Sequence, residues 1–446
     1  MKKTFMLLIV VIAGIAGFVF FSPIFEKEPP IINVYSNGFI TNLRNPLKVE
    51  IKDNSGVKEY SVIAIAGKKV FDIKKSKNNA LGKEVNLEVK LPNVTEKEIK
   101  LIIRAVDNSK WHFFAGNEAE KEIVLKIDTV APDAQIIKNS YAVGRGGSGA
   151  VVVKVSDDNL KDKYIIVNNK YKFKLTPFVK DNYYAALIAW PVAENKFSAD
   201  LIATDKAGNR VRVHIPFYWK TKGIYNSKNV KINITDKFIN NIAKRVLERM
   251  GMPIPNDPVS VFKEVNEKVR KICEDRIYNY TKDVYENKID SFSISKFNPL
   301  PGSAKRADFG EIRHYYYKGS EISKAVHKGI DLAKIKRAKI YSSNFGKVIA
   351  SEYIGIYGNT LIIYHKLGLY TLYGHTSEFR VKKGDIVKKG EVVARTGATG
   401  AVFGDHLHFG VYVQGIPVQP IEWMDSRWIK INIINVINGS KKVINK

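Results

Sequence analysis

The stretch His406-Leu407-His408-Phe409-Gly410-Val411 alternates imidazole and apolar side chains. In an extended strand, residues two apart point to one face, so His406 and His408 converge while Leu407 and Phe409 pack behind them. Upstream lies His327-Lys328-Gly329-Ile330-Asp331. His327 and Asp331, four apart, can share a face in strand or helix, and Gly329 lets the backbone bend between them. Two imidazoles and one carboxylate suit a divalent ion of borderline softness, and three protein ligands with an open fourth position make a catalytic rather than a structural site. Either pattern alone is more often packing or hydrogen bonding. Their coincidence with a further histidine in Leu372-Tyr373-Gly374-His375-Thr376 points to a metal site, and six of the eight histidines fall between His314 and His408. The single cysteine, Cys273, excludes an intrachain disulfide and a Cys-rich zinc ribbon.

Glycine-rich β patterning surrounds these residues from about 290 onward. The order Phe309-Gly310-Glu311-Ile312-Arg313, His327-Lys328-Gly329-Ile330-Asp331-Leu332-Ala333, Gly358-Asn359-Thr360-Leu361-Ile362-Ile363-Tyr364-His365 and Leu372-Tyr373-Gly374-His375 continues through Gly397-Ala398-Thr399-Gly400 and His406-Leu407-His408-Phe409 to Gly415-Ile416-Pro417-Val418-Gln419-Pro420. In this order the segment resembles the lysostaphin/LytM-type zinc metallopeptidases, which cut peptide bonds in bacterial peptidoglycan. The resemblance implies an antiparallel β-sheet peptidase domain over residues 290–430. It also implies one Zn2+ per chain held by His327, Asp331 and His408, with His375 and His406 as unliganded catalytic histidines. All five are present, unlike the degenerate relatives that activate other hydrolases. Gln419 stands where an acidic residue or asparagine is common, with no catalytic consequence expected, and His314 and His365 fall outside the essential set.

No H-E-x-x-H occurs, so no glutamate of that kind serves as base, and an imidazole must. His406 is expected to take the proton of the attacking water and pass it to the leaving amine, with His375 stabilising the oxyanion, or the two roles exchanged. The expected activity is hydrolysis of peptidoglycan peptide cross-links, between D-alanine and a diamino acid, with glycyl-glycine bonds as the other option. The alternative is an inactive LytM-type regulator or wall-binding adaptor that activates another cell-wall hydrolase.

Met1-Lys2-Lys3-Thr4 precedes the uncharged run Phe5 to Phe21. About 20 helical residues cross a hydrocarbon core of roughly 30 Å, which the run reaches if it continues to Phe25. No small-x-small cleavage pattern follows, so residues 1–25 read as an uncleaved signal anchor, a cleaved signal peptide being the alternative. The two lysines place the remainder in the periplasm or cell-wall space, attached to the cytoplasmic membrane by a single pass. The chain has 446 residues and carries 72 Lys and Arg against 44 Asp and Glu, a formal charge of +28. Outside the cytoplasm that excess draws the protein to anionic wall polymers, the free carboxylates of peptidoglycan stem peptides included, and no nucleic-acid partner is expected.

Residues 31–222 read as β structure with an internal repeat. Val49-Glu50-Ile51-Lys52-Asp53-Asn54 aligns with Val153-Lys154-Val155-Ser156-Asp157-Asp158, and Ile102-Ile103-Arg104-Ala105-Val106-Asp107 with Leu201-Ile202-Ala203-Thr204-Asp205. With Asp128-Thr129-Val130-Ala131-Pro132 between the copies, the stretch resembles bacterial immunoglobulin-like modules, one over 31–130 and one over 131–222, which implies β-sandwiches acting as a spacer. Residues 235–285 change to helical period: Phe238, Ile239, Ile242, Val246 and Leu247 share a face, Asp257-Pro258 starts a second helix, and Val261, Val265, Val269 and Ile272 continue its stripe. Cys273 on that stripe reads as a buried, inert thiol. This region is also placed to shield the metal groove until a regulatory protein partner uncovers it. Residues 431–446 read as a C-terminal tail. The fold class is therefore mainly β with a helical insert, in several domains.

Overall fold

A computed structural model describes residues 2–77, 81–220 and 228–445. The expected module boundary at 222 lies outside the described residues. The chain divides into two compact units, one of Met1–Pro132, Asp157–Asp162 and Thr204–Arg210, the other of Asp133–Ser156, Lys163–Ala203 and Val211–Lys446.

In the first unit, Lys2–Phe21 is a single helix whose nineteen-residue window Lys3–Phe21 has a mean hydropathy of 2.7 and no buried residues, long and apolar enough to cross a membrane. Two sheets follow and share one core. One runs Ile31–Tyr35, Leu47–Lys52, Glu84–Val89; the other runs Ile40–Thr41, Glu118–Ile127, Glu98–Asp107, Val57–Ala66, Lys69–Lys77. Alternation assigns the faces: Val49 and Ile51 of one sheet meet Val62, Leu101, Ile103 and Leu125 of the other, while Lys48 and Lys52 face water.

The second unit opens with a four-stranded sheet in the order Thr176–Phe178, Lys180–Ala189, Ser148–Ser156, Asp133–Asn139. Residues 426–444 are helical and packed rather than an open tail. Ile429, Ile433, Val436, Ile437 and Ile444 recur at helical spacing and are buried, and Ser140 Oγ donates to the Asn432 carbonyl at 2.6 Å.

Both expected helices form, over residues 236–249 and 258–281. Thr235 Oγ1 accepts from Phe238 N (3.2 Å) and Asp257 Oδ1 from Ser260 N (2.9 Å), capping amides that have no partner inside the helix. The second stripe departs from expectation at one point. At four-residue steps it runs Val261, Val265, Val269, Cys273, Ile277, all buried, and Ile272 falls off it, 42% exposed. Cys273 is buried, and loss of solvation pushes its thiol up to about 11, which leaves it unreactive. The stripe packs on Ile362, Tyr364, Tyr370, Leu372 and Tyr412, so these helices and the C-terminal sheet have one hydrophobic core.

That sheet is built from β1 (Ile330–Ala333), β2 (Gly346–Tyr353), β3 (Asn359–Tyr364), β4 (Leu369–Thr376) and β5 (Leu407–Val413). The spatial order is Ala304–Ala307, β1, β5, β4, β3, β2, Ile386–Val387, with every pairing along it antiparallel. Beside it, Asn229–Ile234 pairs in parallel with Ile312–Tyr317. Strands drawn from the two ends of this segment thus become central neighbours, which brings distant histidines together.

Candidate active site

Register does most of the positioning. Asp331 on β1 lies opposite His408 on β5, and His408 lies opposite Gly374 on β4, so one row across three strands carries Asp331 and His408 and stops one residue short of His375. Leu407 and Phe409 are fully buried behind the row, as the alternation requires. His327 enters from the segment before β1. Its Nε2 lies 3.1 Å from Asp331 Oδ1 and 3.0 Å from His408 Nδ1, and His408 Nδ1 lies 3.1 Å from the same carboxylate oxygen.

The surroundings fix these orientations. His327 Nδ1 is 2.9 Å from the Asp308 carbonyl, which can only accept, so this nitrogen carries the proton and Nε2 presents its lone pair to the cluster. Asp331 Oδ2 accepts from Arg313 Nη2 at 3.0 Å, and Arg313 Nε also faces Glu311 Oε2 at 3.5 Å. Burial alone would raise the Asp331 pKa, but the His327 and His408 rings reverse this and hold the carboxyl well below its usual range. His408 is buried and loss of solvation pushes it down to about 4, so it stays neutral. Its Nε2 is buried without a hydrogen-bond partner, so the ring's polar company lies entirely on the Nδ1 side. Gly329 serves close approach: a Cβ there would lie 2.6 Å from His408 Nε2.

Three electron-rich atoms 3.0–3.1 Å apart lie a few tenths of an ångström inside the roughly 3.3–3.6 Å that a tetrahedral ion with bonds of about 2.0–2.2 Å imposes, and an N,N,O donor set suits zinc. His327, Asp331 and His408 thus fit the group expected for them.

The other two histidines stand alongside. The His406 and His375 ring centroids are 4.9 Å apart, and His406 Nε2 is 3.7 Å from Asp331 Oδ1. Each has its Nδ1 against a carbonyl, Gly404 for His406 (2.8 Å) and Thr399 for His375 (2.9 Å), which puts the proton on Nδ1 and leaves Nε2 free. Burial, then the neighbouring His406 and His408 rings, hold the His375 pKa well below the ordinary value. His375 also adopts a left-handed backbone (φ 61°), a strained conformation outside glycine. The groove over these residues encloses about 470 Å³, and its lining includes Phe238, Phe262, Arg270, Arg306 and Val402.

His314 and His365 do not join the cluster. His314 bonds Glu321 and Asn229, and His365 is buried between the Phe345 carbonyl and Thr371 Oγ1. Arg313 was legible as part of a motif but not as the clamp on Asp331. Tyr357, whose ring lies 5.3 Å from that of His408, carries no sequence signal of its role.

Residues 325–420 match Peptidase family M23. Peptidoglycan DD-endopeptidase ShyB of Vibrio cholerae is 42% identical over 96 residues, which are 22% of this chain and 22% of that protein. DD-carboxypeptidase/endopeptidase Mpg of Neisseria meningitidis is 38% identical over 96 residues, again 22% of each. The lysostaphin catalytic domain from Staphylococcus simulans aligns with a TM-score of 0.24 and 23% identity over 27% of this chain and 92% of that one. This chain therefore spans under a quarter of the length of those two curated relatives, and its likeness to them is confined to the C-terminal domain. That domain is a peptidase family M23 domain of the LytM/lysostaphin type.

Proposed function

We propose that the protein is a zinc-dependent endopeptidase that hydrolyses peptide cross-links of peptidoglycan outside the cytoplasm. The observation that carries this reading is the convergence of His327 Nε2, Asp331 Oδ1 and His408 Nδ1 beside two histidines whose Nε2 atoms are free, all lining one open groove. His327, Asp331 and His408 hold the ion. When bound, zinc supplies Lewis acidity and brings the pKa of water toward about 7.

The remaining work falls to this chain's own residues. His406, at the groove surface, takes the proton of the attacking water on Nε2 and returns it to the leaving amine. His375 is neutral with its proton held on Nδ1 by Thr399, so its Nε2 accepts a hydrogen bond and orients the water. An oxyanion-stabilising role would need a second proton on that ring, which its burial opposes. Arg313 holds Asp331 in its ligating orientation.

The bond between D-alanine and a diamino acid is the proposed target, supported by the DD-endopeptidase relatives. Lys2–Phe21 serves as a single-pass anchor with the rest of the chain beyond the membrane, and the paired β-sheets over 31–220 act as a spacer. Metal content by mass spectrometry, beside digestion of purified sacculi with product masses, tests the proposal. About one zinc per chain and release of cross-link peptides are expected; intact cross-links with stoichiometric zinc would refute it.

A further inference from the structure

The groove is only partly made by the matched family segment. One wall comes from residues 230–270, outside 325–420. On the helix over 258–281, Asn266, Arg270 and Glu274 recur every four residues and share a face. Glu274 is committed to Lys328, beside His327, at 2.6 Å. Asn266, 3% exposed, fixes Arg270, which donates from Nε to the Asn266 carbonyl (3.0 Å) and from Nη2 to its Oδ1 (2.7 Å). Asn266 is itself held, its Nδ2 donating to Ser323 Oγ (2.8 Å), and Ser323 Oγ donates to Glu267 Oε1 (2.8 Å). The guanidinium is locked before any ligand arrives, and no described residue accepts from its Nη1.

Of the other charges in the groove, all but Arg306 have partners within the fold. Arg313 faces Asp331 and Glu311, Lys328 faces Glu274, and Asp405 accepts from Arg337 N. Among the described residues Arg270 makes no ion pair with a carboxylate, Glu274 on the same face being taken by Lys328, although it is half-buried in a wall that includes Phe262, Val265 and Tyr357. Tyr357 packs on His408, which sets this wall against the metal cluster. Arg306 also lines the groove without a carboxylate partner, but it is exposed at the bulge between Lys305 and Ala307, and no described residue holds it. A half-buried cation without a directly paired carboxylate gains when a ligand supplies one, and the planar fork of arginine suits a carboxylate.

Building on the endopeptidase reading, we propose that Arg270 is a specificity-determining residue: it binds a free carboxylate of the peptide being cut, so that acidic cross-link peptides are preferred over amidated ones.

The test presents cross-linked wall peptides in two forms, as free acids and as carboxamides made by condensation with ammonia, to the zinc-loaded full chain in detergent. In the native protein KM for the amidated form is expected about ten- to a hundredfold above that for the acid, the range for a hydrogen bond to a charged group, with kcat nearly unchanged. Arg270→Gln brings KM for the acid to the amidated value and leaves the amidated peptide unaffected. Arg270→Lys, which keeps charge but not the fork held by Asn266, recovers only part. Equal KM values in the native protein, equal losses on both peptides in Arg270→Gln, or discrimination abolished by Arg306→Gln instead would each overturn the proposal. Should neither peptide be hydrolysed, the endopeptidase reading has failed on its own. Calorimetric titration of the two peptides into the zinc-loaded chain then decides the Arg270 question, a tighter Kd for the acid that vanishes in Arg270→Gln supporting it and equal or absent binding overturning it.

Discussion

His327, Asp331 and His408 place three ligating atoms within 4.8 Å of one another, and so do Glu26, Asp53 and Asp107 in the first β module and Asp128, Asp157 and Asp205 at its repeat. What the side chains serve separates them. Asp53 Oδ1 accepts from Ser55 N and Oγ, Asp107 accepts from Ser109 N, Asn117 N and Asn117 Nδ2, and Asp205 from Asn209 N and Nδ2. These carboxylates tie turns to their own backbone, the ordinary use of aspartate in loops. At the histidine cluster the backbone carbonyls of Asp308, Thr399 and Gly404 take the ring nitrogens facing away, and Arg313 takes the outer oxygen of Asp331, so the remaining atoms face one another. Closeness of acidic groups is a by-product of turn chemistry; outward anchoring of His327 and Asp331, and of His375 and His406 beside them, marks a site built for something else.

The largest expected effects break the histidine cluster. Asp331→Ala removes the carboxylate that both imidazoles face and leaves Arg313 with Glu311 alone, so metal content by mass spectrometry should fall from about one zinc per chain to near none, with sacculus digestion abolished. His406→Ala removes no ligand. It should keep the zinc and lower the digestion rate about 10²–10⁴-fold, the usual contribution of a general acid–base. Zinc loss in His406→Ala, or full activity without it, would contradict the division between holding and proton-transfer residues.

The site was legible because its chemistry is written in short, local patterns. His406-Leu407-His408 needs only strand alternation; β5 supplies it from Leu407 onward, and His406 is bridged to Gly397 just before the strand. The partner that clamps Asp331 was not legible. Arg313 lies eighteen residues away and reaches Asp331 from a strand outside the main sheet, a pairing no periodicity encodes. The helices were readable from their stripes and caps, but their sharing a core with β3, β4 and β5 was not, because both faces of those strands are apolar and offer no alternation to say what covers them. That shared core ties the helical segment to the sheet, and Phe238, Phe262 and Arg270 of the segment line the groove. The C-terminal stretch read as a tail because its turns are short, and burial of Ile433, Val436 and Ile437 decides the matter.

A third expectation concerns a histidine that sits near the site without belonging to it. His365 is pushed from 6.5 to about 4, first by burial and against the Phe345 carbonyl bond that favours its charged form. A depressed imidazole pKa means the unfolded chain binds the proton more readily. The stabilisation is whole above pH 6.5 and is lost progressively as pH falls toward 4, by on the order of 3 kcal/mol in all. Unfolding of the C-terminal unit, followed by tryptophan fluorescence between pH 7 and 4, should show this slope. His365→Gln should be less stable at pH 7, through its altered bonds to Phe345 and Thr371, yet flatter across the range. An unchanged slope in the variant would place the acid sensitivity elsewhere.

The smallest effect sharpens the comparison from the other side. Asp107 is fully buried and accepts three hydrogen bonds from Ser109 and Asn117. Asp107→Ala leaves those donors buried without an acceptor, a loss of about 1–3 kcal/mol confined to the first unit. The midpoint of that unit's denaturant transition should move down while zinc content and sacculus digestion stay at native values. If the role of Asp107 is to close its turn, Asp107→Asn, which keeps one acceptor oxygen in place, should recover part of the loss. A variant that also lowered zinc content would show that the carboxylates of the β modules and the histidine cluster are not independent, and the contrast between turn closure and metal holding would fail.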